Sequence, residues 1–100
     1  MNLLVTAGAT REPIDPVRYL TNRSSGKMGY ALALVGQQLG HRVTLISGPT
    51  SLDIPPLVDF IPVETAEEML EAVKLNIKSQ DAAIFSAAVA DYRPSFNSDR

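Results

Sequence analysis

Leu3-Leu4-Val5-Thr6-Ala7, broken at Gly8, and then Asn22-Arg23-Ser24-Ser25-Gly26-Lys27-Met28-Gly29 together decide how this chain is read. The first run has the length and composition of a buried strand, and the second opens a helix. The first turn of a helix offers unpaired N–H groups and the positive end of the macrodipole, so it favours anions. A lysine there is disfavoured by about 0.3–1 kcal/mol. Ser24, Ser25, Gly26 and Gly29 leave room for a ligand to reach the backbone, and Lys27 is then intelligible as a phosphate partner. The stretch reads as a strand, a phosphate-binding turn and a helix.

Working outward, residues 26–39 form the helix, with Met28, Leu32, Val35 and Leu39 on one stripe and Gly40 as its stop. Arg42 to Ser47 reads as a second strand and Val58 to Val63 as a third, separated by an irregular loop around Gly48-Pro49-Thr50 and Ile54-Pro55-Pro56. Thr65-Ala66-Glu67-Glu68 matches a capping box. The helix behind it presents Ala66, Met69, Leu70, Val73 and Ile77 at helical spacing, with acids early and Lys74 and Lys78 late. Ala82 to Ala87 is a fourth strand, almost wholly apolar, and is expected to lie centrally with both faces covered.

Strands alternating with helices predict an α/β fold: a Rossmann-like, doubly wound parallel sheet in three layers, strand order 3-2-1-4. Ligands in such sheets bind beyond the carboxyl ends of the strands, near the switch point. Here that means the loops from Gly8 onward and from Ala87 to Pro94. Two helices are few for covering both faces, and the fourth strand has no neighbour beyond it. Residues 1–100 are therefore expected to be the N-terminal portion of one nucleotide-binding domain whose downstream part is absent.

Composition narrows the field. Apolar residues make up 45% and charged residues 20%, ordinary for a globular chain. The absence of cysteine excludes disulfides and thiolate metal sites. The N-terminal apolar run is short for a signal segment and no run reaches membrane-spanning length, so cytoplasmic residence without membrane contact is expected. Between Gly8 and Gly29, Arg11, Arg18, Arg23 and Lys27 outnumber Glu12 and Asp15 by two, in a chain of net charge −2. A local basic segment in an acidic chain suits a small anion better than nucleic acid. A solvated loop would show the same charge pattern.

Two common phosphate motifs fail. The dinucleotide fingerprint needs G-x-G-x-x-G between strand and helix, but Ala9-Thr10-Arg11 follows Gly8, and Ser47 stands where a ribose-binding acid would end strand 2. The Walker pattern fails at Thr21 and at Met28. Arg11 to Arg23 instead inserts a long loop where roughly 2–6 residues are usual. Such loops at a functional edge often bind or cover ligands, although Pro13 and Pro16 could also brace a structural excursion. His41 sits in a helix-to-strand turn with no second histidine. Arg18 and Arg23 either contact phosphate or pair with Asp15 and Glu12.

The stretch from Val5 to Gly29 resembles the opening of phosphopantothenate–cysteine ligases, and Ala87-Ala88-Val89-Ala90-Asp91-Tyr92-Arg93-Pro94 resembles their second signature. The resemblance covers almost all of this chain but only the N-terminal part of the family's domain. It implies a ligase of coenzyme A biosynthesis joining 4′-phosphopantothenate to cysteine through an acyl-nucleotide, with CTP ahead of ATP as cosubstrate, Mg²⁺ accompanying it, and a homodimer. The sequence enters its first strand directly from Met1, so the decarboxylase often fused upstream, and its flavin, are expected to be absent.

The resemblance also implies roles. Gly8 is the glycine of the first turn beside the nucleotide, and Ser24, Gly26 and Gly29 are the phosphate-binding helix start. Asn22 is the catalytic asparagine, touching phosphopantothenate and supporting turnover of the acyl intermediate. A neutral amide can donate to a carbonyl or phosphate without adding charge, and an asparagine before a helix can equally be a cap. Phe85, Ser86 and Ala87 line the nucleotide pocket, Ala88 lies beside the pantothenate portion, and Asp91 is at the nucleotide, directly or through Mg²⁺. No resident metal site is implied. Ala9 stands where the family often has Pro or Gly, and the family's lysine-rich segment lies beyond this chain. Two rival readings remain: a nicotinamide-dependent reductase, loosely suggested by Thr6-Ala7-Gly8-Ala9-Thr10, and a non-catalytic assembly fragment.

Overall fold

The computed structural model describes the backbone of residues 1–15, 18–21 and 26–87, and side chains of residues 1–11 and 26–87. In chain order the elements are β1 (Asn2–Ala7), β2 (Arg11–Asp15), β3 (Arg18–Thr21), α1 (Lys27–Gln38), β4 (Arg42–Ser47), β5 (Asp59–Pro62), α2 (Ala66–Asn76), a 3-10 turn (Ile77–Ser79) and β6 (Ala82–Phe85). The main sheet runs β5-β4-β1-β6, with all three pairings parallel. This is the predicted 3-2-1-4 order, because β1, β4, β5 and β6 are the four strands expected from the sequence.

Each face of the sheet takes one helix. Alternation along the strands sends Val5, Ala7, Val43 and Leu45 to one side, where they pack with Tyr30 and Ala33 of α1. Leu4 and Ile46 go to the other side and pack with Met69 and Ala72 of α2. The result is a three-layer α/β unit. Among the described residues, no helix is long and apolar enough to cross a membrane.

The start of α2 follows its sequence signal closely. Glu68 N–H donates to Thr65 Oγ1 at 3.1 Å, while Glu68 Oε1 accepts from the backbone N–H of Glu64 at 2.7 Å and of Thr65 at 3.4 Å. Orphan donors of the first turn are thereby satisfied from both directions.

Three expectations need correction. The predicted core stripe of α1 faces solvent: Met28, Val35 and Leu39 are 70%, 50% and 71% exposed. The buried face is instead Gly29, Tyr30, Ala33 and Gly36. Small residues let this helix settle close to the sheet, since a Cβ on Gly36 would come within 3.1 Å of Leu3 Cδ1 and 3.2 Å of Val43 Cγ2. Close approach outweighs side-chain size as the marker of the inner face here.

The long segment after Gly8, read as a loop, contains an antiparallel ribbon of β2 and β3, with an irregularity between Pro13 and Asp15. Proline cannot donate to a ladder, but a two-stranded ribbon has free edges where it is tolerated. Finally, β6 is not central among the described residues and is covered only in part, where Ala83 packs against the cluster of Leu4, Ile46, Met69 and Ala72. It forms one edge of the sheet, with Ile84 37% and Phe85 64% exposed.

Candidate functional site

Parallel pairing of β1 with β6 brings the two loops expected to carry chemistry side by side. Thr6 is in register with Phe85, so the chain leaves both strands at the same corner. Ser86 fastens that corner: its backbone N–H donates to the Thr6 carbonyl at 3.1 Å and its hydroxyl donates to the same oxygen at 2.6 Å. The Ala87 N–H reaches Thr6 Oγ1 at 3.4 Å.

Glycines bring the start of α1 into the same corner. Gly8 has φ +80° and Gly26 has φ +83°, a left-handed conformation that side chains rarely adopt. A Cβ on Gly26 would lie 3.1 Å from both Cα and N of Gly8. The first turn of α1 therefore rests almost backbone to backbone on the turn that ends β1. Gly29 continues the contact, because a Cβ there would meet Ala7 Cβ at 2.4 Å and Ser86 Oγ at 2.6 Å. Gly8, Gly26, Gly29, Ser86 and Ala87, separated by up to 79 positions, thus converge on one corner of the carboxyl edge.

The electrostatics of the corner suit an anion. Gly26 caps α1 without any side-chain hydrogen bond, and the first turn holds no acidic residue. The positive end of the helix dipole at this turn favours a negatively charged ligand. Lys27 is exposed and lines a cleft of about 340 Å³ with Leu52, Asp53 and Ile54. Phe85 lies on β6 at the corner with its ring largely in solvent. Asn22, Ser24, Ala88 and Asp91 lie outside the described residues.

A second cleft, of about 510 Å³, opens beyond the carboxyl ends of β4 and β5 and is lined in part by Tyr30, Ser47, Gly48, Phe60 and Glu64. A cleft of about 280 Å³ lined by Asn2, Arg42, Asp59 and Gln80 lies at the opposite, amino edge, away from this chemistry. His41 is also at that far edge, where its Nδ1 lies 3.0 Å from the amino group of Met1. Among the described residues, no group of three or more His, Asp or Glu side chains is placed to hold a metal ion.

Sequence reasoning missed how the segment after Gly8 is anchored. It crosses the carboxyl end of β4 toward the residues after β5. There Arg11 N–H donates to the Glu64 carbonyl at 2.8 Å, and Arg11 Nε donates to Glu64 Oε2 at 2.9 Å. Two half-exposed partners 53 positions apart leave no local signal in the sequence. Ser47 was noted only as lacking a carboxylate. In the fold Ser47 is 1% exposed, and its hydroxyl donates to Gly48 O at 2.7 Å and sits 2.8 Å from the Tyr30 hydroxyl. That strand end presents neither an acid nor an open hydroxyl to a ribose.

The family described as DNA/pantothenate metabolism flavoprotein C-terminal domain matches residues 1–100. The coenzyme A biosynthesis bifunctional protein CoaBC of Vibrio parahaemolyticus is 60% identical over 93 residues, which are 93% of this chain and 23% of that protein. The crystal structure of the C-terminal domain of a CoaBC protein superposes with TM-score 0.89 at 56% identity, covering 95% of this chain and 48% of that one. A Cab2 variant in complex with phosphopantothenate-cysteine shares the fold, with TM-score 0.77 at 19% identity, over 95% of this chain and 47% of that one. The chain thus spans under a quarter of the curated relative and about half of the solved domain. With its whole length matched and its corner of glycines formed as described, the chain belongs to the DNA/pantothenate metabolism flavoprotein C-terminal domain family.

Proposed function

We propose that this chain is the N-terminal part of a ligase that joins 4′-phosphopantothenate to cysteine in coenzyme A biosynthesis, by way of an acyl-nucleotide. The observation that carries the reading is the convergence of Gly8, Gly26 and Gly29 with Ser86 at a helix start whose first turn holds no acidic residue. The close fit of helix to strand leaves no room for side chains at Gly26 and Gly29, so phosphate oxygens at this corner would meet backbone amides. The 60% identity to a coenzyme A biosynthesis protein supports the same reading.

The chemistry has two steps. A carboxylate oxygen of phosphopantothenate attacks the α-phosphorus of the nucleoside triphosphate and pyrophosphate leaves. The cysteine amine then attacks the acyl carbon, the nucleoside monophosphate departs with the carbon–oxygen electron pair, and the amine loses a proton to give the amide. The Gly8–Gly26–Gly29 corner binds and orients the polyphosphate, converting a collision of three reactants into reaction within one complex. Asn22 donates its amide to the acyl group or its phosphate, and Ser24 joins the phosphate-binding set. Ala88 flanks the pantothenate portion, and Phe85 and Ala87 flank the nucleotide.

Backbone amides and hydroxyls form the described donor set, which fits phosphate oxygens rather than a resident cation. Mg²⁺ would come bound to the triphosphate, with Asp91 the carboxylate beside it, and would neutralise charge on the departing pyrophosphate. CTP is the favoured cosubstrate over ATP, and the complete protein is a homodimer. A reductase reading finds less support, because the hydroxyl at the end of β4 is buried and engaged.

The test uses full-length protein with CTP, Mg²⁺, phosphopantothenate and cysteine, following pyrophosphate release and amide formation. Asn22→Asp should slow amide formation by at least about tenfold, the scale of one lost transition-state hydrogen bond, and let acyl-nucleotide accumulate. Unchanged turnover would remove Asn22 from its role. Saturable NADPH binding without CTP binding would favour the reductase, and assembly without either would favour a non-catalytic fragment.

A further inference from the structure

We propose that Ser47 and Gly48, which end β4, are positioning residues for the anion-binding corner. The identity of the anion rests on the ligase reading; the positioning does not. Gly48 continues the parallel ladder beyond Ser47, its N–H donating to the Ala7 carbonyl at 3.0 Å. It passes directly under the turn that leaves β1. A Cβ on Gly48 would lie 2.2 Å from Ala9 O, 2.8 Å from Ala9 C and 3.3 Å from Thr10 N, all backbone atoms that cannot swing aside. Gly8 is packed from the other direction, since a Cβ there would meet Gly48 O at 3.1 Å and Gly48 N at 3.3 Å.

A short relay of hydrogen bonds holds this crossing. Ser47 has one hydroxyl proton, which it gives to Gly48 O, so the Tyr30 hydroxyl must be the donor in the 2.8 Å contact with Ser47 Oγ. Tyr30 belongs to the first turns of α1, one position after Gly29 and four after Gly26, and its N–H donates to the Gly26 carbonyl at 3.0 Å. The chain of contacts therefore ties the helix start and the Gly8 turn, two parts of the corner, to the end of β4. Ser47, Gly48, Ala9 and Thr10 are buried, so the relay is shielded from competing water. The strand end that carries a ribose acid in dinucleotide folds is used here to set the height of the phosphate turn.

The experiment compares full-length wild type with Gly48→Ala, Ser47→Ala and Tyr30→Phe. Binding of inorganic pyrophosphate is measured by calorimetry, and KM is measured for CTP and for cysteine. Gly48→Ala should weaken pyrophosphate binding and raise KM for CTP by about tenfold or more, while KM for cysteine stays within about twofold, because a turn displaced by a fraction of an ångström misplaces only the anion. Ser47→Ala should do the same more weakly, and Tyr30→Phe added to it should cost little more, as expected of one relay. Folded Gly48→Ala protein with unchanged pyrophosphate affinity overturns the proposal, as does an equal loss for every substrate. Should Gly48→Ala not fold, Ser47→Ala decides on the same criteria. Wild type that binds pyrophosphate yet ligates nothing removes the ligase reading alone, whereas wild type that binds no pyrophosphate removes the positioning claim.

Discussion

On one side of β1 lies β4, and on the other lies β6; both are parallel to it, β4 mixing apolar with polar residues and β6 apolar throughout. Val43, Leu45 and Ile46 of β4 are fully buried between α1 and α2, with β5 as a further neighbour. Ile84 and Phe85 of β6 stand open, and no helix among the described elements packs over them. The more apolar strand is thus the exposed edge, and the strand with polar residues at both ends is the core strand. Strand composition records the environment a strand is built for, and neighbours decide whether that environment exists. An apolar edge with unpaired backbone is a liability that proteins ordinarily cover.

Substitutions on the two flanks should separate most widely in stability. Leu45→Ala empties a fully buried position and should cost about 2–5 kcal/mol in denaturant unfolding. Phe85→Ala in the same 100-residue chain should fall within about 0.5 kcal/mol. A cost for Phe85→Ala approaching that of Leu45→Ala in a longer protein would show that additional sequence covers β6. Comparable costs in this chain would erase the contrast altogether.

The seam between the flanks is tested by Gly29→Ala. The new methyl would press on Ala7 Cβ and Ser86 Oγ, so overpacking of about 1–3 kcal/mol is expected. Pyrophosphate affinity measured on the same sample should fall with it. Unchanged stability and unchanged affinity together would mean that helix and sheet are less closely seated than described.

Thr65→Ala probes a local signal on the closed flank. Removing the hydroxyl that accepts from Glu68 N–H should lower stability by about 1 kcal/mol, read as a shift in unfolding midpoint. Arg42→Ala should also cost little. Its Nε donates to Asp59 Oδ2 at 3.1 Å, but both side chains are more than half exposed. Solvent screening limits the loss to under about 1 kcal/mol, and added salt should shrink it further.

Strand order was legible because apolar runs alternate with capped helices, and Thr65 to Glu68 announced its helix by chemistry that acts within four residues. The inner face of α1 was not legible by size: Met28, Val35 and Leu39 are larger than Gly29, Ala33 and Gly36, yet close seating on Ala7, Leu3 and Val43 selects the small ones. The β2–β3 ribbon was hidden because Pro13 and the polar composition around it lack strand alternation. In the site, Gly8 and Gly26 stood out as punctuation around a strand and a helix. Gly48 did not, because its significance lies in a backbone crossing with Ala9, nearly forty positions away. Long-range contacts between backbones leave only a missing side chain in the sequence, and a missing side chain has many causes.

A crystal structure of the full-length protein with CTP and Mg²⁺ addresses the central claim most directly. The account predicts phosphate oxygens seated at the start of α1, within hydrogen-bonding reach of the backbone around Gly8, Gly26 and Gly29. An ordered triphosphate bound elsewhere, with that corner bare, would contradict it.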